Sequence, residues 1–353
     1  MKRLPQALVG LAVSGAALWL TLRGKDLGAI WEAVGAADYV WLVPYFLILT
    51  LIHLAQAWRW GILLEPVARI PFWRLNAVAA VGFMALVILP FRLGELARPY
   101  LIAERPNLRV SAALSSVVVE RVADGVFMAA LLVLTLLGVP EGTPGLRLLR
   151  LAGALVFLAF AVALAFLVVA YRNRRLALRI THRILDPLSS GLADRLTGMM
   201  DAFLHGLRLV PSRRKVGLFF ALTAAYWALS ALSIALLARG FDIHLSALES
   251  LTVLGVLVVG IMIPAGPGMV GTYQAAVTLG LSLFLPRSVV DARGVAFANV
   301  LWAGQLVQVT AFGLLFLFSR HIRLAHLMSA PAEVERALED EEAEYQAESE
   351  RRR

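Results

Sequence analysis

The chain has 353 residues, 60% of them hydrophobic and only 16% charged, with a net charge of +9 and no cysteine. A soluble domain carries roughly 25% charged residues, so a soluble enzyme or a nucleic-acid-binding module is excluded, as are a disulfide framework and a thiolate metal site. Mean hydropathy of +0.77 and repeated apolar runs, each of about 17–25 residues and able to cross a hydrocarbon core of about 30 Å, define an all-α polytopic membrane protein.

Met1-Lys-Arg precedes an apolar run from Leu4 to Leu22. That run exceeds the 7–15 residues of a signal-peptide core and reads as a first span with a cytoplasmic N-terminus. Residues 26–38 hold Leu27, Ile30, Trp31 and Val34 at helical spacing, which suits a short interfacial helix. Tyr39 to Trp58 form the second span, with Arg59, Arg69 and Arg74 beyond it marking an inside loop.

Leu75 to Phe91 is apolar but runs into Pro90 and then Arg92, Arg98, Arg105 and Arg109. With both flanks basic, 75–109 reads as a re-entrant hairpin, since broken backbone is tolerated at membrane depth where protein or water covers it. Val110 to Val139 and Leu146 to Tyr171 follow as spans three and four. The basic stretch 172–215 is a cytoplasmic loop of amphipathic helices, and Val216 to Ala238 is span five. Ser246 to Pro264 enters and Thr272 to Leu285 leaves, a second hairpin from the opposite face, before span six from Val295 to Phe318.

The expected architecture is therefore about six full spans plus two oppositely directed re-entrant hairpins, or eight spans if each hairpin arm crosses fully. Opposed broken hairpins in the two halves point to an inverted repeat. Residues 1–325 form the membrane domain, and 326–353 an acidic cytoplasmic tail. Nine of the 24 acidic residues fall after position 330, against four of the 33 basic ones. The tail has no apolar face in this reading, and the basic 172–215 loop is its expected partner. The positive-inside pattern places both termini in the cytoplasm, with the chain in the cytoplasmic (inner) membrane.

Two stretches carry the chemistry. Residues 90–124 lie between apolar runs yet contain Arg92, Glu95, Arg98, Glu120, Arg121 and Asp124. Charges at membrane depth face a protein interior or a water-filled cavity. Arg92, Glu95 and Arg98 at i, i+3 and i+6 suit a guanidinium pair offered to a phosphate, and equally a self-compensated lock on the hairpin. Glu120 and Asp124 at i, i+4 read as a proton-linked gate or as counter-charges for those arginines. The second stretch, IPAGPGMVGTYQ at 263–274, breaks a span at Pro264, Gly266, Pro267, Gly268 and Gly271. Its freed amides, with Thr272 and Tyr273, are candidates to receive an anionic headgroup. The two breaks are expected to face each other. Asn299, Gln305, Gln308, Ser230 and Ser233 read as interhelical hydrogen-bonding groups, and His53 as a packing residue.

LPFRLGELARPYLI, SSVVVERVAD and IPAGPGMVGTYQAA together resemble the membrane region of lysylphosphatidylglycerol synthases, the flippase-like membrane domain family, over residues 5–325. The resemblance implies movement of aminoacylated or glycosylated lipids between leaflets, and puts weight on Pro90, Arg92, Gly94, Glu95, Arg98, Glu120, Arg121, Asp124, Pro264, Pro267, Gly268 and Gly271. Many members carry P-G-G and an acidic residue in the second motif, where this chain has Pro267-Gly268-Met269 and Gln274. Only the acidic tail follows the last span, so synthase activity is not carried over. The expected function is translocation of a phosphate-bearing lipid. The alternative is a membrane-embedded enzyme, or a subunit of one, acting on a lipid-linked sugar or polyprenyl phosphate. No nucleotide-binding motif, metal-ligand spacing, cofactor or nucleic-acid partner is expected. The expected company is membrane lipid, with a second copy of the chain or a lipid-modifying enzyme.

Overall fold

A computed structural model describes residues 4–89, 94–103, 108–185, 212–263 and 265–317, together with 200, 204, 333–334, 336–338 and 340–341. Pro90, Arg92 and Pro264 lie outside the described residues, as does most of the basic stretch before Ser212. Among the described residues all regular structure is helical, as the hydropathy pattern requires.

Helix α1 spans Leu4–Leu22 and α2 spans Leu27–Gly35. Asp26 caps α2 by accepting the Gly28 and Ala29 amides, which satisfies donors the first turn cannot pair internally. A short turn at Tyr39–Trp41 leads into α3, Leu42–Leu64. Then come α4, Phe72–Ile88; α5, Ala97–Ala103; and α6, Val110–Leu136. Helix α7 spans Leu146–Arg172, α8 Arg174–Leu185, and α9 Arg213–Arg239. The second half closes with α10, Ala247–Gly260; α11, Thr272–Leu281; and α12, Val295–Leu317.

Tyr39–Leu64, Leu146–Arg172, Arg213–Arg239 and Arg287–Leu317 are long and apolar enough to cross a membrane. Helix α7 shows what surrounds them. Leu148, Leu151, Leu155 and Leu158 point outward and are more than half exposed, a cost in water that hydrocarbon removes. Helix α6 is 27 residues long but carries Glu120, Arg121 and Asp124 in its middle. It packs against α3, α5, α7 and α10 and so lies inside the bundle.

The two predicted breaks are present as pairs of short helices. At 1.5 Å per residue, the 17 residues of α4 reach about 26 Å and the 14 of α10 about 21 Å. Neither α5 nor α11, with 7 and 10 residues, can cross about 30 Å of hydrocarbon alone. Helix α5 packs back on α4 and α6, and α11 on α10, α1 and α12. Ion pairs and a backbone contact tie the loops at one end of the bundle. Lys25 meets Asp291 at 3.3 Å, Arg293 meets Asp242 at 2.6 Å, and the Asp38 amide donates to Gly240 O at 2.8 Å. At the opposite end Lys215 meets Glu65 at 2.5 Å.

Two expectations need correcting. The second span does not stop at Trp58; α3 continues to Leu64, because Gly61-Ile62-Leu63-Leu64 resumes the apolar run. Arg59 therefore lies within the helix bundle and not in a flanking loop. The acidic tail does have an apolar stripe: Val334 and Leu338, an i, i+4 pair, are each 3% exposed. They pack on Leu96, Tyr100, Val110 and Leu114. Glu341 accepts the Val110 amide at 2.7 Å, so the described tail residues cap α6. Leu338→Asp should undock the tail by about 2 kcal/mol, the worth of one buried leucine. Hydrogen exchange at residues 333–341 should then rise; unchanged protection would show that Leu338 contributes nothing to docking.

Candidate functional site

Helices α3, α5, α6 and α9 meet around a cluster of charges. Arg59, with no exposed surface, sends Nη1 to Asp124 Oδ1 and Nη2 to Asp124 Oδ2 at 2.8 Å. The same Nη2 donates to Glu120 Oε1 at 2.8 Å, and Nη1 to Thr223 Oγ1 at 3.1 Å. This is the bidentate fork a planar guanidinium makes with a carboxylate. The Phe219 and Tyr226 rings face its cation at 5.3 and 5.2 Å.

Arg98 donates from Nη2 to Glu120 Oε2 at 3.1 Å and lies over Trp60 at 4.3 Å and Phe83 at 4.9 Å. Its stem passes the bare Cα of Gly82. Trp60 is fixed in turn by an indole hydrogen bond to Ser116 Oγ at 2.9 Å. Arg121 reaches Glu120 at 3.4 Å and Asp124 at 3.6 Å, and its side chain keeps 30% exposure. Three guanidinium groups thus surround two carboxylates.

The six residues of the first motif separate into two groups. Arg98 and Glu120 are interior, Arg98 being 3% exposed and Glu120 having no exposed surface. Glu95, Arg121 and Asp124 line a cavity of about 410 Å³. Arg92 lies outside the described residues. The expected face carrying Arg92, Glu95 and Arg98 does not form as one helix over its described part: Gly94–Leu96 is a tight turn and α5 begins at Ala97. Arg98 is consumed by Glu120 and is not the open arginine expected at that position.

The cavity runs from this charged end past His53, Gln56, Tyr226, Trp227 and Ser230 to Tyr273, Gln305 and Gln308. A smaller void of about 130 Å³ continues between Leu86–Leu89 of the first break and residues 261–269 of the second. The two breaks therefore do meet. A more open cleft of about 540 Å³ at the α3–α4 connection, walled by Trp58, Glu65 and Arg69, lies away from the charge cluster.

The second break is less open than its glycines suggest. The Gly266 amide donates to Ser14 Oγ at 2.9 Å, the Met269 amide to Gly266 O at 3.1 Å, and the Gly271 amide to Gln274 Oε1 at 2.7 Å. Those three amides are not available to a headgroup, which corrects that part of the expectation. Pro267 begins a tight turn, Gly268 adopts φ +71° within it, and the Thr272 hydroxyl donates to Met269 O at 3.0 Å. Among the described residues of this break, Met269 and Tyr273 reach the large cavity, where the Tyr273 hydroxyl donates to Gln305 at 2.9 Å. Gln274 caps Gly271 and donates to Asn299 at 3.3 Å.

Arg59, Thr223 and Trp227 escaped the reading from sequence. The signal for Arg59 was available: apolar residues continue for a full turn beyond it. Thr223 and Trp227 look like ordinary span residues until α9 packs on α3. Among the described residues no group of three or more His, Cys, Asp or Glu side chains forms a metal-ligand set.

A helical bundle with outward-facing apolar spans, two broken helix pairs and an internal cavity that charged residues help to line defines a polytopic membrane protein. Residues 7–313 match the family described as Lysylphosphatidylglycerol synthase TM region, and the chain belongs to that family. Membership connects it to membrane-lipid function. A search of the curated proteins returns no match.

Proposed function

We propose that the protein moves a phosphate-bearing lipid between leaflets, its headgroup passing through the 410 Å³ cavity while the acyl chains stay in the bilayer. One observation carries this reading: Arg121 stands partly exposed on the cavity wall while Arg59 and Arg98 hold the carboxylates from behind. The cluster is thereby pre-organised, with the Arg121 side chain 30% exposed. A headgroup phosphate is the anion that a guanidinium fork accepts best.

In this reading the positive-inside rule makes the end bearing Lys215 and Glu65 the cytoplasmic one, with the chain in the inner membrane and both termini inside. The first hairpin then opens toward the cytoplasmic leaflet and the second toward the opposite one. A lipid-modifying enzyme or a second copy is a natural partner for such a passage.

The test is reconstitution of the full chain into liposomes with a fluorescent phospholipid and a membrane-impermeant quencher. Arg121→Gln should slow translocation at least roughly tenfold, the worth of one charged hydrogen bond of about 1.5–3 kcal/mol, with little change in thermal stability. Equal rates in the variant and the parent would sink the assignment.

A further inference from the structure

We infer that the apolar void between the tips of α4 and α10 is a side portal, through which the acyl chains of the moving lipid reach the bilayer while its headgroup stays in the cavity. The inference rests on reading the cavity as a headgroup passage, and it adds to that passage a binding site for acyl chain. It comes from the chemistry of the void, from what borders it and from the exposure of its rim.

The void of about 130 Å³ lies between Leu86, Val87 and Leu89 at the end of α4 and residues 261–269 beyond α10. Every side chain on its wall is leucine, valine, isoleucine, methionine or alanine, and its two glycines bring none. Backbone polar groups of the same wall already have partners. The Gly266 amide donates to Ser14, the Met269 amide to Gly266 O, and the Gly268 carbonyl accepts Trp302 Nε1–H at 2.7 Å. An apolar cavity of about 150 Å³ stays dry and takes an apolar guest, so this space suits hydrocarbon better than water or a headgroup. The second break thus offers an acyl chain what its paired amides withhold from an anion.

Leu86, Val87, Ile261, Met262 and Met269 line both this void and the large cavity, so the two spaces are continuous. Leu86 also borders a small space lined by Glu95, Arg98 and Arg121. Its backbone nitrogen passes against Gly94, one residue before Glu95, so closely that a Cβ there would have no room. A polar site and an apolar one therefore adjoin at the tip of α4, the pairing that an amphiphile with one headgroup and attached chains requires. On the far side the rim is open: Ile88, Met262 and Ile263 are 50, 39 and 53% exposed. Such side chains are costly against water and at home against hydrocarbon. A chain leaving the cavity between the two tips would meet apolar groups all the way to the bilayer.

Liposomes holding the full chain, a fluorescent phospholipid and a membrane-impermeant quencher test this. Met262→Trp and Val87→Trp, which fill the void, should each slow translocation at least about tenfold by overpacking the path of the chains. Met262→Ala, which widens it, should keep or exceed the parent's rate, and Leu155→Trp on the outer face of α7 should change nothing. Photolabelling reads the same site without any substitution. A phospholipid with a diazirine on its acyl chain should label residues 86–89 and 261–269 of the parent protein more strongly than outward residues such as Leu155. Parental rates in both tryptophan variants overturn the portal, as does label confined to the outer faces of helices such as α7. Met262→Ala as slow as Met262→Trp also overturns it, since the side chain and not the space would then matter. If Arg121→Gln slows translocation and the tryptophan variants do not, only the portal falls and the passage stands. If Arg121→Gln and both tryptophan variants match the parent, the passage falls as well.

Discussion

Arg59→Gln should destabilise the protein by about 3–5 kcal/mol, the largest loss expected of any single substitution. Removing one partner of a buried ion pair strands the other charge in a medium that cannot solvate it. Here one guanidinium with no exposed surface serves Asp124 and Glu120, both buried. Glutamine keeps part of the shape and one donor pair but none of the charge. Two carboxylates would then face Arg98 and Arg121 alone. The measurement is thermal unfolding in mild detergent, followed by tryptophan fluorescence. A second substitution separates charge from shape: Arg59→Gln with Asp124→Asn should recover much of the loss, because the stranded carboxylate is gone. A single variant as stable as the parent would mean that Arg98 and Arg121 already suffice.

Gly271→Ala is the second large effect, at roughly 2–4 kcal/mol. Its φ of +84° with ψ −56° is a conformation that L-residues rarely hold. A Cβ there would also run into the Ser14 carbonyl and the Leu18 amide of α1, so strain and overpacking add. Gly268 makes the contrast. Its φ of +71° lies in the left-handed region that asparagine tolerates, and the nearest atoms to a Cβ are at 3.6 Å. Gly268→Asn should therefore be nearly neutral. Unfolding of the two variants side by side checks the pair; equal losses would show that backbone strain alone, without α1, decides at this break.

Most of the architecture was legible because hydropathy and helix breakers act locally. The span limits, the break after Leu89 and the break around Gly268 follow from apolar run length, proline and glycine, and the structure departs from them by a few residues. The charged residues of α6 were also legible, since Glu120, Arg121 and Asp124 interrupt an otherwise apolar helix. Which of them faces the cavity was not. That depends on Arg59 arriving from α3 and Arg98 from α5, contacts between residues 65 and 22 positions away along the chain. Period and spacing carry no information about such partners. The amides of the second break looked free for the same reason: Ser14, 252 residues earlier, takes the one at Gly266. In the tail, two apolar residues among many acids make too weak a pattern to reveal a docking face before its groove on α5 and α6 is seen.

The Arg59 cluster also sets an order on how the chain is made. Arg59 enters the bilayer long before its partners exist: Asp124 follows 65 residues later and Thr223 164 residues later. A lone guanidinium inside a membrane-spanning helix is costly, by up to about 2.5–3.5 kcal/mol at the helix centre and by less toward the end where Arg59 lies, and α6 brings an uncompensated negative surplus of its own. Helix α3 is therefore a poor lodger in lipid until α6 and then α9 join it. Ribosome-bound intermediates that stop short of α6 should remain beside the insertion machinery, and prematurely terminated chains should present a recognisable unpaired cation to membrane proteases. The same residue that fastens the finished bundle thus serves as an internal check that α3, α6 and α9 have come together.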